Sequence, residues 1–141
     1  MNEQTKLKTL RTICWIGVAA DALWSVALVY PSLYGILTSQ PLLQTDLPLR
    51  LTMGIGASLM MGWTLLLAWT AKNPVERKAV FLLTAFPVLF GLIIVTSVAL
   101  INGNTADIWI LVKCTLLTAA MLFGYHIAKS MARESANAND H

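Results

Sequence analysis

The sequence predicts an all-α integral membrane protein, a four-helix bundle with both its N and C termini in the cytoplasm. Three observations predict it. Four apolar runs each approach the length needed to cross a bilayer, about 20 residues at about 1.5 Å per residue. Only 12% of the 141 residues are charged, against about 25% in a soluble domain, and mean hydropathy is +0.67. Lys and Arg gather beside alternate ends of the runs, the bias that orients spanning helices. A soluble fold would leave those runs with no core to enter. The net charge of +3 comes from clusters flanking the runs, so it orients helices and is no nucleic-acid footprint. The partner it implies is the lipid bilayer.

The chain reads in order as follows. Residues 1–11 form a polar arm with Lys6, Lys8 and Arg11. A basic start before an apolar run resembles a secretory signal, but the sequence stays apolar beyond Ala20-Asp21-Ala22, where a mature start should turn polar. The first span is therefore 12–30. The connection 31–50 holds Pro31, Pro41 and Pro48, and proline disfavours helix at the residue before it. It is too apolar to hang in water, so an interfacial segment over the outer mouth of the bundle is expected, with Tyr30 and Tyr34 at headgroup level. Asp46 and Arg50 stand at helical i,i+4 spacing, a weak surface pair.

The second span is 51–70, anchored by Trp69. Asn73-Pro74-Val75-Glu76 has the residue types of a helix start: a cap, a proline at the first helical position and a glutamate at the third. The third span is placed at 75–101, with a kink at Pro87 where a backbone carbonyl loses its amide. Asn102-Gly103-Asn104 ends it, Thr105 and Asp107 restart the helix, and the fourth span is 108–128. The tail 133–141 is polar and small and is expected to be disordered. Lys6, Lys8, Arg11, Lys72, Arg77, Lys78, Lys129 and Arg133 fall on one side and Arg50 on the other. The positive-inside rule then makes the first side cytoplasmic, in a multi-pass protein of the inner (plasma) membrane. No repeat, linker or second domain is visible.

Asp21, in the middle of the first span, is the residue the bundle must accommodate. A carboxylate at mid-membrane costs about 2.5–3.5 kcal/mol on insertion scales, so another helix, cavity water or a proton has to meet it. It lies about 13 Å below the outer end by helical rise. Lys113 lies roughly 6 Å below Trp109 by the same rise and reaches Asp21 if its stem turns inward instead of snorkelling. Arg50 heads the second span on one face with Gly54, Ser58 and Gly62. Asp21, Lys113, Arg50, Ser58, Ser25 and Trp24 are the candidate ligand-binding residues, with Trp15 and Trp63 as further wall residues. The competing reading makes Asp21 and Lys113 a structural pair that locks the first helix to the fourth, a role some buried pairs have. Lone protonation of Asp21 is the third.

Gly54, Ser58 and Gly62 form a small-residue stripe, and Ala120, Gly124 and Ala128 another; such stripes let helices approach closely, inside one bundle or between copies. The hydroxyls Ser25, Thr64, Thr84, Thr96, Ser97, Thr115 and Thr118 are expected to bond their own helix's carbonyls. Cys14 and Cys114 sit at opposite depths, and a disulfide needs Cα atoms within about 7 Å, so both read as buried free thiols. No metal-ligand cluster, no cofactor motif, no bis-histidine haem site (His126 has no partner in a span) and no catalytic signature is present.

In outline, with four spans, both ends inside and one buried charge, the chain resembles several small bacterial membrane families, the DoxX-like proteins among them. That resemblance is one of shape and implies no function. The expected function is binding or translocation of a small apolar or amphiphilic molecule, cationic to suit Asp21, in an outward-facing polar pocket. The alternative is an accessory or assembly subunit of a larger membrane complex, or a homodimer, packed through its glycine stripes. A membrane-embedded enzyme ranks last.

Overall fold

The computed structural model describes residues 2–38, 46–102 and 108–139, with side chains described through residue 137. The described residues are helical with no strand, and four helices are long and apolar enough to cross a membrane. The Gly103, Asn104, Thr105 and Asp107 assignments, Pro41 and His141 lie outside the described residues.

Helix α1 (Glu3–Val29) takes in the basic arm as well as the predicted span. The arm is helical because Leu10 continues the apolar stripe of the span: Leu10, Ile13, Cys14, Gly17, Asp21 and Ser25 are all buried, at the three- and four-residue spacing of one helical face. Asp21 thus sits on the face that the bundle covers. Tyr30 ends the helix in extended conformation (φ −110°, ψ 94°), as expected for a residue before proline. Pro31 opens the short helix α2 (Pro31–Leu37), where its missing amide costs nothing.

Helix α3 (Leu47–Lys72) starts four residues before the predicted span. The Leu49 amide donates to the Asp46 carboxylate at 3.0 Å, so Asp46 caps the helix. No Asp46–Arg50 ion pair forms among the described residues; the cap takes the carboxylate instead.

The third span begins at Ala79, later than predicted. Asn73 has φ −133° and its amide closes α3, while its side-chain amide donates to Glu76 at 3.3 Å. Glu76 is therefore not folded back on a backbone amide, and residues 74–78 form turns instead of a helical ladder. The span consists of α4 (Ala79–Leu83), a π-helical turn (Thr84–Leu89) and α5 (Phe90–Ile101). Pro87 lies inside the π turn; the helix answers the missing amide by widening.

Helix α6 (Ile108–Asn139) runs far beyond the predicted end of the fourth span. A disordered tail from residue 133 is thus corrected: it is helical to Asn139. Extending an existing helix needs no new nucleus, Ala, Arg and Glu are good helix formers, and Met131 is buried in the core. Lys6 also holds Glu134 with hydrogen bonds of 2.7 and 2.9 Å.

Register follows from a few contacts. Ser25 meets Ala57 and a side chain at Gly17 would meet Leu67 and Met121, so α1 runs antiparallel to α3. Lys6 meets Glu134 and Gly124 lies against Ile13, so α1 is antiparallel to α6 as well. The start of α1 and the end of α6 thus lie at one end of the bundle. The 72–78 connection joins them there, since Lys72 and Lys78 share a groove with Leu7, Arg11 and Ala132. The core centres on Phe81, Leu10, Leu67 and Met121, each fully buried. Gly124 is needed where it is: an added Cβ would lie 3.0 Å from the Phe81 ring. Outward faces carry exposed Ile55, Leu59, Leu65, Phe86, Val95 and Leu116, as a lipid-facing surface does.

Of the hydroxyls, Thr64, Thr84, Ser97, Thr115 and Thr118 bond carbonyls of their own helices. Ser25 does not. Its hydroxyl crosses to the Ala57 carbonyl of α3 at 3.0 Å. Thr84 does double duty, accepting from the Trp63 indole at 3.1 Å and tying α3 to the third span. Cys14 and Cys114 are both free and buried.

Candidate ligand cavity

A cavity of about 430 Å³ opens between α1, α3, the third span and α6. Asp21, Trp24, Met60, Leu92, Lys113 and Cys114 line it, with Ile16, Ala20, Leu89, Leu117 and Ala120. On α1, Ile16, Ala20 and Trp24 follow one another at four-residue intervals beside Asp21, and on α6 Lys113, Leu117 and Ala120 do the same at four and three. Each helix thus gives the cavity one continuous face. A second cavity of about 290 Å³ shares Trp24, Met60, Leu92 and Cys114 with the first and adds Tyr34 and Ile110. The two adjoin and extend from Asp21 towards the end of the bundle opposite the basic cluster. Trp24 stands between them, edge-on to Tyr34 of α2 with ring centroids 6.1 Å apart.

Asp21 is 8% exposed. Among the described residues it has no hydrogen bond and no ion pair. No buried side-chain oxygen or nitrogen there is both sealed and unpartnered, so the surface Asp21 keeps is what it shows to the cavity it lines. The α1–α6 register sets Asp21 level with Leu117, which leaves Lys113 one turn nearer the outer end. Lys113 shares the cavity but is exposed and forms no salt bridge with Asp21. The predicted pair does not form: Asp21 and Lys113 line one cavity from different helices, a turn apart.

The remaining candidates divide. Trp24 is on the wall as expected. Ser25 is one residue on, at 2% exposure, and its hydroxyl is spent on Ala57, so it holds α1 to α3 and does not face the cavity. Ser58 is exposed and donates to the Ile55 carbonyl of its own helix at 2.9 Å. Arg50 is exposed and lines neither cavity. The face of α3 that packs inward carries Met53, Ala57, Thr64 and Leu67, and this leaves the Arg50, Gly54, Ser58, Gly62 row on the other side.

At Gly54 and Gly62 an added Cβ would meet nothing within 4 Å among the described residues, so neither is a close-packing position within the described bundle. Ala120 is on the cavity wall and Gly124 is the packing position. Trp15 lies on an outer groove and Trp63 is tied to Thr84, so neither joins Trp24. Sequence reasoning missed Met60, Leu89, Leu92 and Cys114. Counting threes and fours from Asp21 and Lys113 recovers the α1 and α6 liners, but Leu89 and Leu92 follow a π turn that shifts the helical count.

Chemically, the site is an apolar chamber with one carboxylate that has no partner among the described residues and one amine at the margin. Its size falls in the range of small-molecule sites, about 300–1,000 Å³. Among the described residues no three His, Cys, Asp or Glu side chains come together as metal ligands. No protein-family model matches the chain, and no curated protein or solved structure matches it significantly.

Proposed function

We propose that this protein is a multi-pass inner-membrane protein that binds a small amphiphilic molecule in the Asp21 cavity, the ligand presenting a cationic or hydrogen-bond-donating group to the carboxylate and apolar surface to Trp24, Met60 and Leu92. One observation carries the reading: Asp21 is buried, lines a cavity, and has no hydrogen-bond or ion-pair partner among the described residues. An ionisable group inside a membrane is costly, and one left unsatisfied by its own fold is accounted for by something that enters the cavity. The positive-inside rule places the end with Lys6, Arg11, Lys72 and Lys129 in the cytoplasm, so the cavity faces outward. Four helices are too few to enclose a wide aqueous path, and translocation would require an oligomer.

The test is native mass spectrometry of wild type and Asp21→Asn, purified gently enough to retain bound molecules. A discrete adduct on the wild type that is missing from a folded Asp21→Asn supports the reading and gives the ligand's class. The same adducts on both proteins sink it.

A second reading has its own observation. Added Cβ atoms at Gly54 and Gly62 would meet nothing within 4 Å among the described residues and Ser58 between them is exposed, and such a row accepts a second helix closely, in a homodimer or in a larger membrane complex. Cysteine cross-linking from position 58 in membranes tests it: efficient capture of a second copy or of one defined partner supports it, and absence of any cross-linked species counts against it.

A further inference from the structure

A groove of about 660 Å³ runs between α1 and α3 at the basic end, on the outside of the bundle. Arg11, Trp15, Leu65, Ala68, Trp69 and Lys72 line it. On α1, Arg11 and Trp15 are four residues apart; on α3, Trp69 and Lys72 are three apart. At those spacings each cation and its indole share a helix face, one turn apart. Because the helices are antiparallel, the two cations lie together at the basic end and the two indoles lie together one turn deeper. Trp15 and Trp69 are 58% and 48% exposed.

No carboxylate lines the groove, and neither Arg11 nor Lys72 is in an ion pair among the described residues. Glu76, from the adjacent connection, accepts from the Asn73 side-chain amide at 3.3 Å and lines a neighbouring pocket that Arg11 and Lys72 also reach. Arg77 stacks on the Trp69 ring, 3.5 Å from its centroid, and donates to the Trp69 carbonyl. That contact fixes the indole and brings a third positive charge close.

We propose that this groove is a binding site for an anionic phospholipid of the surrounding bilayer, with its phosphate between Arg11 and Lys72 and an acyl chain along Trp15, Leu65 and Trp69. Guanidinium and ammonium groups both bind phosphate oxygens, and tryptophan prefers the boundary between headgroups and chains. A zwitterionic lipid is disfavoured because the groove offers no carboxylate to its ammonium group. The site is separate from the Asp21 cavity and does not depend on what that cavity binds.

The experiment is lipid retention by native mass spectrometry from mixed micelles of phosphatidylglycerol and phosphatidylcholine. Wild type is expected to retain phosphatidylglycerol preferentially. Arg11→Gln/Lys72→Gln should lose about 25-fold of that affinity, the worth of two charges at a membrane surface. Lys129→Gln/Arg133→Gln removes equal charge from the same end, but neither residue lines the groove, so only screened, diffuse attraction is lost and retention should fall less than about threefold. Trp15→Ala, which keeps both cations, should also weaken retention. Equal losses in the two charge variants would reduce the effect to general attraction and overturn the site. So would unchanged retention in Arg11→Gln/Lys72→Gln, or displacement of the lipid by millimolar inorganic phosphate. Neither Arg11 nor Lys72 has a side-chain hydrogen bond among the described residues, so helix content by circular dichroism should match wild type.

Discussion

Replacing Asp21 by leucine should make the ligand-free protein more stable. On insertion scales an aspartate at the centre of a span costs about 2.5–3.5 kcal/mol and a leucine gains about 0.3–0.6 kcal/mol, so the exchange is worth at most about 3–4 kcal/mol. Part of the cost is relieved because Asp21 lines a cavity into which water can follow it. A gain of about 1–3 kcal/mol is therefore expected. Nothing is lost against it, because Asp21 has no hydrogen bond or salt bridge among the described residues, and the cavity has room for the larger side chain. The assay is denaturation of protein stripped of ligand in detergent, followed by circular dichroism, with Asp21→Asn as the near-isosteric companion. In a double-mutant cycle with Lys113→Gln, the coupling energy should stay below about 0.5 kcal/mol, the level of independent sites. Stability lost in both Asp21 variants, with coupling above about 1 kcal/mol, would refute the reasoning and restore the structural pair.

The two glycine rows should behave oppositely. Gly124→Leu forces a side chain into the Phe81 ring, where even a Cβ would be 3.0 Å away, and should cost about 1–3 kcal/mol or more as overpacking; Gly62→Leu, with nothing within 4 Å, should leave the stability of the isolated chain within about 0.5 kcal/mol of wild type. Denaturation curves of the two variants in detergent check both. Ser25→Ala removes the one hydroxyl that bonds across from α1 to α3 and should cost about 0.6 kcal/mol, and no more than about 1.7, the measured range for such bonds in membranes. Lys6→Ala breaks the contact with Glu134, whose side chain is 62% exposed; screening holds the loss to about 0.5 kcal/mol or less, read from the same denaturation curves at low and high salt.

The spans are legible in the sequence because length and apolar content are sufficient for a helix in lipid, where no other open structure satisfies the backbone. Asp21 is legible as the exceptional residue for the same reason. What the sequence conceals is which face of each helix turns inward. In α3 neither the inward stripe of Met53, Ala57, Thr64 and Leu67 nor the outward row of Gly54, Ser58 and Gly62 carries a charge, because lipid and protein interior are similar solvents. Soluble helices announce their inner face by contrast with water; here that contrast is missing, so sequence reasoning assigns Ser58 and Arg50 to a cavity they turn away from. Helix ends are displaced for a local reason. Asn73 and Glu76 spend their side chains on one another, and the polar tail is helical because α6 and Lys6 support it.

The cavity's position follows from the same packing. Near the basic end the bundle is closed by large side chains meeting small ones: Phe81 against Gly124, and Leu67 and Met121 against Gly17. Towards the other end the contact is looser: a Cβ at Gly56 would lie 3.4 Å from Leu28. Above Gly17, α1 brings Ala20, Asp21 and Trp24, while the third span leaves its π turn with Leu89 and Leu92. An extra residue in a helical turn rotates everything after it relative to the turn before it, so the face that fits Gly124 at Phe81 cannot stay in phase at Leu92. The gap that results is where Asp21 lies. A carboxylate at a well-packed level such as that of Gly17 would have no room for solvent or ligand and would bear its full desolvation cost. Placed at the level where the helices fall out of register, it has the packed layer of Leu67 and Met121 on one side and the cavity on the other.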